Sequence, residues 1–316
     1  MAERLDHGAP DLVTTVIITR DRCERTVCSL ERARGRVVLV DNGSTDGTVA
    51  AVRQLFPDVE VVALPENRGA LARNVGVERA GTPFVAFADD DSWWEPESLV
   101  LAQELLAGHS DWAVLVASVL VEPGGTLDPL NEQMLAESPV VDDPPGPGLD
   151  ARLVSGFHAC AAVVRTDAFL AAGGFDAVIF FGGEEERLVL DVVGAGGLVV
   201  HVPALRVHHA PGQHARHGRS QVVARNHVLT AVMRHGWPEV GRRVLRGLRR
   251  GELRALRAAA GRLPAALRAR RRVSPAVEGY LARSTGRVFA RKNRLSRAVW
   301  GTNAPHESPR SQRPLP

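Results

Sequence analysis

The stretch "FVAFADDDSWWEP", residues 84–96, decides how this chain is read. Its first residues are uninterruptedly apolar, the pattern of a strand covered on both faces, and the run stops abruptly at Asp89, Asp90 and Asp91. Three adjacent carboxylates repel one another, so their placement at a strand end calls for a cause. Upstream, "LVTTVIIT" (12–19), "RVVLVD" (36–41) and "VEVVAL" (59–64) repeat the apolar pattern, and "PFVAFA" (83–88) is the fourth such run. Helix-like stretches at about 22–34, 46–55 and 69–80 separate them. Short continuous apolar strands alternating with helices predict an α/β fold with a mainly parallel central sheet and helices on both faces. Ser44, Thr45 and Asp46 are helix-capping residue types before "GTVAAVRQLF", and Pro96 with its acidic neighbours starts a further helix over 95–107.

Beyond that point the pattern predicts a strand at 112–121 and then a mobile loop over 137–150, rich in Pro, Gly and Asp. A strand leading into a short helix is expected at 157–169, a turn at 173–176 and a helix over 184–197 that ends at glycines. A short strand at 198–203 precedes "LRVHHAPG" (205–212). From about 240 to 298 the chain is Arg-rich and helical in pattern, and 301–316 reads as disordered. The division this suggests is one domain over 1–236, a basic helical extension over 237–300 and a tail over 301–316.

The 316 residues are 45% hydrophobic, enough for one large domain, alone or with an appendage. No apolar run approaches the length of a membrane span, and "MAERLDHGAPDLVTT" has no apolar signal core, so a cytoplasmic chain is expected. Cys23, Cys28 and Cys160 fit neither a disulfide framework nor a zinc spacing. The net charge of +3 conceals an asymmetry: residues 1–200 carry 14 Arg/Lys against 32 Asp/Glu, a balance of −18, and residues 201–316 carry 25 against 4, a balance of +21. An acidic body suits a bound cation and a basic tail suits an anionic partner.

In open parallel sheets ligands bind beyond the carboxyl ends of the strands, and the polar residues of this chain gather there. The four runs end at Thr19-Arg20, at Asp41-Asn42, ahead of Asn67-Arg68-Gly69, and at the aspartate triplet. Crowded carboxylates are tolerated when a hard dication neutralises them, and Mg²⁺ or Mn²⁺ is commonly held by one or two carboxylates with substrate phosphates completing the shell. A nucleoside diphosphate fits that role. Neither G-x-x-x-x-G-K-[ST] nor G-x-G-x-x-G after the first strand occurs, so any nucleotide is bound by other contacts.

Four segments in register, "VVLVDNGSTDGT", "NRGALARNVGVERAGTPFVAFADDD", "GGFD…GGEEERLVLDVVGAGG" and "VHH", resemble the family 2 glycosyltransferases of the GT-A, Rossmann-like fold over about residues 12–212. The resemblance implies a nucleotide-sugar donor, UDP-type favoured, a divalent metal (Mg²⁺ or Mn²⁺) and inversion at the anomeric carbon. It implies that Asp41 contacts the base, with Thr19 and Arg20 lining the same pocket, and that Asn67, Arg68, Gly69 and Arg73 lie near base, ribose or diphosphate. Asp89 and Asp91 would form the DxD motif, Asp89 and Asp90 on the nucleotide side and Asp89 and Asp91 toward the metal; either His208 or His209 would approach the metal late in the domain. The family pattern G-E-D-x-D-L-x-L falls on Gly183 to Leu190, so Glu185 takes the place of the catalytic aspartate, with Glu184 in reserve, Glu186 behind it and Arg187 standing where a second acid is common. A sugar, lipid-linked or polysaccharide acceptor of cell-envelope type follows from the same resemblance.

Plainer readings stand beside these. The triplet can cap the 95–107 helix, "EEE" is a common solvated helix start, Asp41 and Asp46 suit turn chemistry, and one of Trp93 and Trp94 is expected to be packing. The rival classes are a non-catalytic nucleotide-sugar-binding protein and a nucleotidyltransferase on a related sheet. Arg243, Arg246, Arg249 and Arg250 recur near leucines at helical spacing, as in a helix lying on anionic lipid at the inner face of a membrane or packing on the acidic body. A nucleic-acid partner is disfavoured, because the tail lacks interleaved aromatics.

Overall fold

A computed structural model describes residues 11–141, 148–212 and 218–285. The four apolar runs become β1 (Val13–Thr19), β2 (Arg36–Asp41), β3 (Glu60–Ala63) and β4 (Phe84–Asp89), mutually parallel in the order β3-β2-β1-β4. Between them run α1 (Cys23–Arg32), α2 (Thr48–Leu55) and α3 (Ala72–Ala80), the last preceded by a 3₁₀ turn at Gly69–Leu71. Successive side chains feed opposite faces. Val16, Val38, Val40 and Phe87 enter one core with Phe169 and Leu188, while Ile17, Leu39 and Ala88 enter the other with Leu99 and Leu106. Burial on both sides is why β1, β2 and β4 read as continuous apolar runs, whereas β3, at the edge of the sheet, is only partly buried.

The second half corrects the expectation of a mainly parallel sheet. After β5 (Ser92–Trp94) and α4 (Pro96–Gly108) come β6 (Trp112–Val121), β7 (Thr126–Leu127), α5 (Pro129–Glu137), β8 (Arg152–Leu153), β9 (Ala162–Arg165), α6 (Thr166–Ala171), α7 (Glu184–Gly194) and β10 (Leu198–His209). The main path is β3-β2-β1-β4-β9-β6-β10-β5, with β7 on β6 and β8 on β10. Strand β9 lies inverted between β4 and β6, and β5 runs antiparallel to β10, so the sheet is mixed. Apolar periodicity reports which faces are buried and carries no information on strand direction, which is why "ACAAVV" did not reveal the inversion. The two segments expected at 198–203 and 205–212 form the single strand β10, with a register shift against β6 between His201 and Arg206. Pro203, which has no N–H to donate, lies inside that irregularity.

The C-terminal part contains α8 (Arg219–Arg234), which the sequence reading did not anticipate, then α9 (Trp237–Arg249), α10 (Leu253–Arg268) and α11 (Pro275–Thr285). Val228, Leu229, Val232 and Met233 of α8 meet Ala259 and Ala266 of α10 and Ile179 of the loop before α7 in a small separate core. The tail assigned to 301–316, residues 286–300 of the extension assigned to 237–300, and 142–147 within the loop assigned to 137–150 lie outside the described residues. No helix among the described residues is long and apolar enough to cross a membrane.

Candidate active site

The three aspartates at the end of β4 point in three directions. Asp89 pairs with Arg73 of α3, a guanidinium only 2% exposed, whose Nη1 is also 3.8 Å from Glu184 Oε1. Burial would lower the Arg73 pKa, but the charges of Asp89 and Glu184 outweigh it and hold the guanidinium firmly protonated. Asp90 turns inward, accepting from Thr19 Oγ1 (3.2 Å) and Arg22 Nη1 (3.1 Å). Burial pushes its carboxyl up to about 6, with Arg22 opposing and Asp91 and Asp89 adding to the rise. Asp91, also buried, accepts from Arg22 Nη1 (3.3 Å) and Arg25 Nη1 (3.2 Å), and its Oδ1 lies 3.4 Å from His209 Nε2. Ser92 Oγ accepts the Asp89 N–H at 2.8 Å and so fixes the turn that spreads the three carboxylates apart.

The pleat of β10 separates the two histidines. His209 faces Asp91, whereas His208 meets Glu122 Oε1 (2.8 Å) and Glu95 Oε1 (3.3 Å) and stacks on Trp93 at 5.2 Å and 4°. The other tryptophan, Trp94, is buried and donates its indole N–H to the Phe87 carbonyl at 2.9 Å, which makes it the packing member of the pair.

On the β2 side, Asp41 is buried and accepts both the backbone N–H of Ser44 (2.8 Å) and the Ser44 hydroxyl. Asn42 ties the second and third strand ends together, accepting the Arg68 N–H (3.0 Å) and donating to the Gly69 carbonyl (3.1 Å), while Asn67 Oδ1 accepts the Gly69 N–H at 2.8 Å. Arg20, Asn67 and Arg68 are exposed at this rim, and Arg20 lies 3.4 Å from Asp21. Thr19 is turned toward Thr26 and Asp90. Gly69 has φ +59°, and a Cβ there would come 2.5 Å from the Phe180 carbonyl oxygen. That carbonyl accepts the Ala70 N–H at 2.8 Å, so the approach docks the loop before α7 onto the 67–70 turn. Gly69→Ala is therefore expected to lower stability by about 1–3 kcal/mol through backbone strain and overpacking, measured by chemical denaturation.

Helix α7 starts after Gly182 and Gly183, both at positive φ (87° and 83°), with three acids in its first turn where the helix dipole favours negative charge. Their side chains diverge around the helix. Glu184 is 3% exposed and directed to Arg73, and its Oε2 has no hydrogen-bond partner among the described residues. Burial raises its carboxyl to about 7, the Glu185 charge adds to this, and Arg73 opposes it. Glu185 is half-buried. Glu186 is buried between His227 Nδ1 (2.6 Å) and Arg243 Nη2 (2.7 Å). Burial alone would raise the Glu186 carboxyl, but Arg243 and His227 hold it well below the usual range. Arg187, at the place of a second acid, donates to the Gly174 carbonyl and pairs with Asp191 (2.6 Å), which Arg234 of α8 also grips. It braces the 172–174 turn against α7 and α8.

The structure thus brings together Asp89, Arg73 and Glu184, and separately Asp91 and His209. It turns His208 away from Asp91. Sequence reading missed Arg22, Arg25, His227 and Arg243 as neighbours of these acids. For the first two a signal existed, since residues three apart on the first turn after a strand end share a helix face over the crevice.

No group of three or more His, Cys, Asp or Glu side chains able to hold a metal is gathered among the described residues. Asp91 with His209 nevertheless offers one carboxylate and one imidazole, a donor pair compatible with a Mg²⁺ or Mn²⁺ ion whose remaining ligands are diphosphate oxygens and water. Arg22 and Arg25 already balance that carboxylate, so an ion held there would draw its neutralising charge from the diphosphate it carries.

The Glycosyl transferase family 2 profile matches residues 14–171. Over 310 aligned residues the chain is 30% identical to an N-acetylglucosaminyl-diphospho-decaprenol L-rhamnosyltransferase of Mycobacterium tuberculosis, covering 85% of this chain and 99% of that one. A pre-mycofactocin glycosyltransferase of the same species is 32% identical over 215 residues, 62% of this chain and 42% of its own. Among solved structures, a mannosyltransferase from Pyrobaculum calidifontis in complex with GDP-Man and Mn²⁺ superposes with a TM-score of 0.56 at 23% identity, over 92% of this chain and 82% of that one. With strand-end acids, α/β layers and these relatives in agreement, the chain belongs to glycosyl transferase family 2 and is a nucleotide-sugar-dependent glycosyltransferase of the GT-A type.

Proposed function

We propose that this enzyme transfers a sugar, with inversion, from a nucleotide-sugar (UDP-type favoured) to a hydroxyl of a lipid-linked sugar acceptor, with Glu185 as general base. The observation that carries this reading is the Asp89–Arg73–Glu184 chain, which joins the end of β4 to the first turn of α7. Asp41 and the 67–69 turn are the nucleotide-side surface, and Asp89 holds the ribose side. Asp91 and His209 would hold a divalent cation, which when bound supplies positive charge to the diphosphate as the sugar–phosphate bond breaks. Arg22 and Arg25, now paired with Asp91, lie where they can share the negative charge of the leaving diphosphate. Glu185 accepts the acceptor hydroxyl proton on the opposite side of the sugar, and buried Glu184 keeps Arg73 in place against Asp89.

The acceptor class rests on the M. tuberculosis relative, whose name specifies a sugar diphospho-decaprenol. It also rests on α9, where exposed Trp237, Leu245 and Leu248 alternate with exposed Arg242, Arg246 and Arg249, a surface suited to an anionic bilayer. In this reading residues 1–236 carry the transfer chemistry, 237–300 are the membrane-facing extension, and the enzyme works at the cytoplasmic face.

A panel of UDP-, GDP- and dTDP-sugars tested for thermal stabilisation with Mn²⁺ is expected to single out one nucleotide class. Ligand at about 100 times its Kd adds roughly 2.7 kcal/mol to stability. Transfer from that donor to a sugar-diphospho-polyprenol then tests the reaction. Stabilisation by no nucleotide-sugar would refute the reading, whereas binding without turnover would favour a non-catalytic nucleotide-sugar-binding protein, consistent with the Glu in place of the usual aspartate.

A further inference from the structure

The first turn of α7 carries the proposed base; Asn226 of α8 holds the Phe181 and Gly182 carbonyls just before it, so what remains to be set is the orientation of the turn itself. Two glycines at positive φ lead into it, and among the described residues no side chain caps its N-terminus. Three consecutive carboxylates there repel one another, so the turn depends on what its side chains reach. At about 100° per residue they reach different bodies. Glu184 goes inward to Arg73, and Glu186 goes to the C-terminal helices, meeting His227 of α8 at 2.6 Å and Arg243 of α9 at 2.7 Å. Arg243 is itself fully engaged. Its Nε donates to Glu239 Oε1 (2.8 Å) and its Nη1 to the His227 carbonyl (2.8 Å), so the guanidinium is locked in one orientation. Its neighbours in sequence behave differently, since Arg242 and Arg246 are exposed on the outer side of the same helix. Burial of an arginine among two carboxylates and a carbonyl, on a helix otherwise studded with solvated arginines, requires a partner worth the desolvation. That partner is the residue next to the proposed base.

We propose that Arg243 and His227 are positioning residues for the transfer reaction, holding the first turn of α7 through Glu186 so that Glu185 is presented to the acceptor, and thereby tying the basic helix α9 to the reaction centre. The proposal rests on the glycosyl-transfer reading for its kinetic consequence and on geometry alone for its structural one. Glu185 sits between two anchored neighbours, and release of the outer anchor lets the turn rotate about the inner one. Displacement of a reacting group by about 1 Å costs on the order of a hundredfold in rate. Donor binding, which involves the β1, β2 and β4 ends, is untouched.

The test uses the full chain with Arg243→Gln and Arg243→Lys, and Glu186→Gln as a second break of the same pair. Three quantities are read: kcat and donor KM with the nucleotide-sugar that the unaltered enzyme turns over, affinity for UDP with Mn²⁺, and, without substrate, amide exchange across residues 183–188. Arg243→Gln is expected to lower kcat roughly ten- to a hundredfold with donor KM and UDP affinity within about twofold, and Arg243→Lys to recover much of the loss. Exchange across the turn should rise about tenfold in the Gln variant. Unchanged kcat or unchanged exchange in a folded Arg243→Gln protein overturns the proposal, as does a joint fall of kcat and UDP affinity, which would mean general loosening. If Arg243→Gln does not fold, Glu186→Gln is judged by the same criteria. An unaltered enzyme that turns over no donor defeats the glycosyl-transfer reading, and the exchange measurement then decides the latch by itself.

Discussion

Asp91→Asn is expected to reduce turnover by roughly three orders of magnitude and to abolish any gain in nucleotide affinity from Mn²⁺. The substitution preserves shape and removes charge at the one member of the triplet that faces His209, Arg22 and Arg25. Two losses combine. The donor pair for the cation is reduced to an amide and an imidazole, and Arg22 and Arg25 lose the carboxylate that aims them at the mouth of the sheet. Arg22 retains Asp90 at 3.1 Å, so the turn itself is held and the fold should survive, with a change in Tm of only a few degrees. The measurements are kcat with the donor chosen by the nucleotide panel and UDP titrations with and without Mn²⁺. Full turnover in a folded Asp91→Asn protein would mean that the diphosphate is held somewhere other than at Asp91 and α1.

How much of this was legible in the chain differs by element. Strands β1, β2 and β4 and the placement of the acids at their carboxyl ends could be read because a strand buried on both faces leaves a continuous apolar run and because ligand crevices form at those ends. Strand β3, a partly buried edge strand, could be read from its apolar β-branched residues alone. The inversion of β9 could not, since alternation is blind to direction. Helix α8 passed unnoticed because "RSQVVARNHVLTAVMR" mixes buried polar residues into its inner face, and Asn226, fully buried, donates to the Phe181 and Gly182 carbonyls. The choice between His208 and His209 as the neighbour of Asp91 is a matter of pleat phase, and the register shift around Pro203 had to be known before that phase could be assigned. Arg243 looked identical to Arg242 and Arg246 in an arginine-rich stretch. Only the packing of α9 on α8 distinguishes the buried one, whose protonation Glu186 and Glu239 secure against the opposing effect of burial.

The same divergence of side chains makes the acids of α7 separable by experiment. Glu185→Gln is expected to lower kcat by about 10² to 10⁴ while leaving UDP affinity with Mn²⁺ nearly intact, because it removes the proton acceptor and keeps volume, the Asp91 end and the nucleotide-side turn unaltered. Glu184→Gln is a different perturbation. Buried Glu184, with its carboxyl raised to about 7, carries a proton over much of the acidic range, and the amide copies that neutral form. Below its pKa Arg73 is balanced by Asp89 alone, and above it by both carboxylates, so Glu184→Gln should act chiefly at alkaline pH and cost no more than about tenfold in rate. The pair therefore yields opposite pH signatures: in Glu185→Gln the loss spans the profile, and in Glu184→Gln it grows as pH rises through about 7. If Glu184→Gln instead gives the larger loss at all pH values while Glu185→Gln stays active, the proton acceptor is the inner carboxylate. The half-buried outer one would then line the acceptor path.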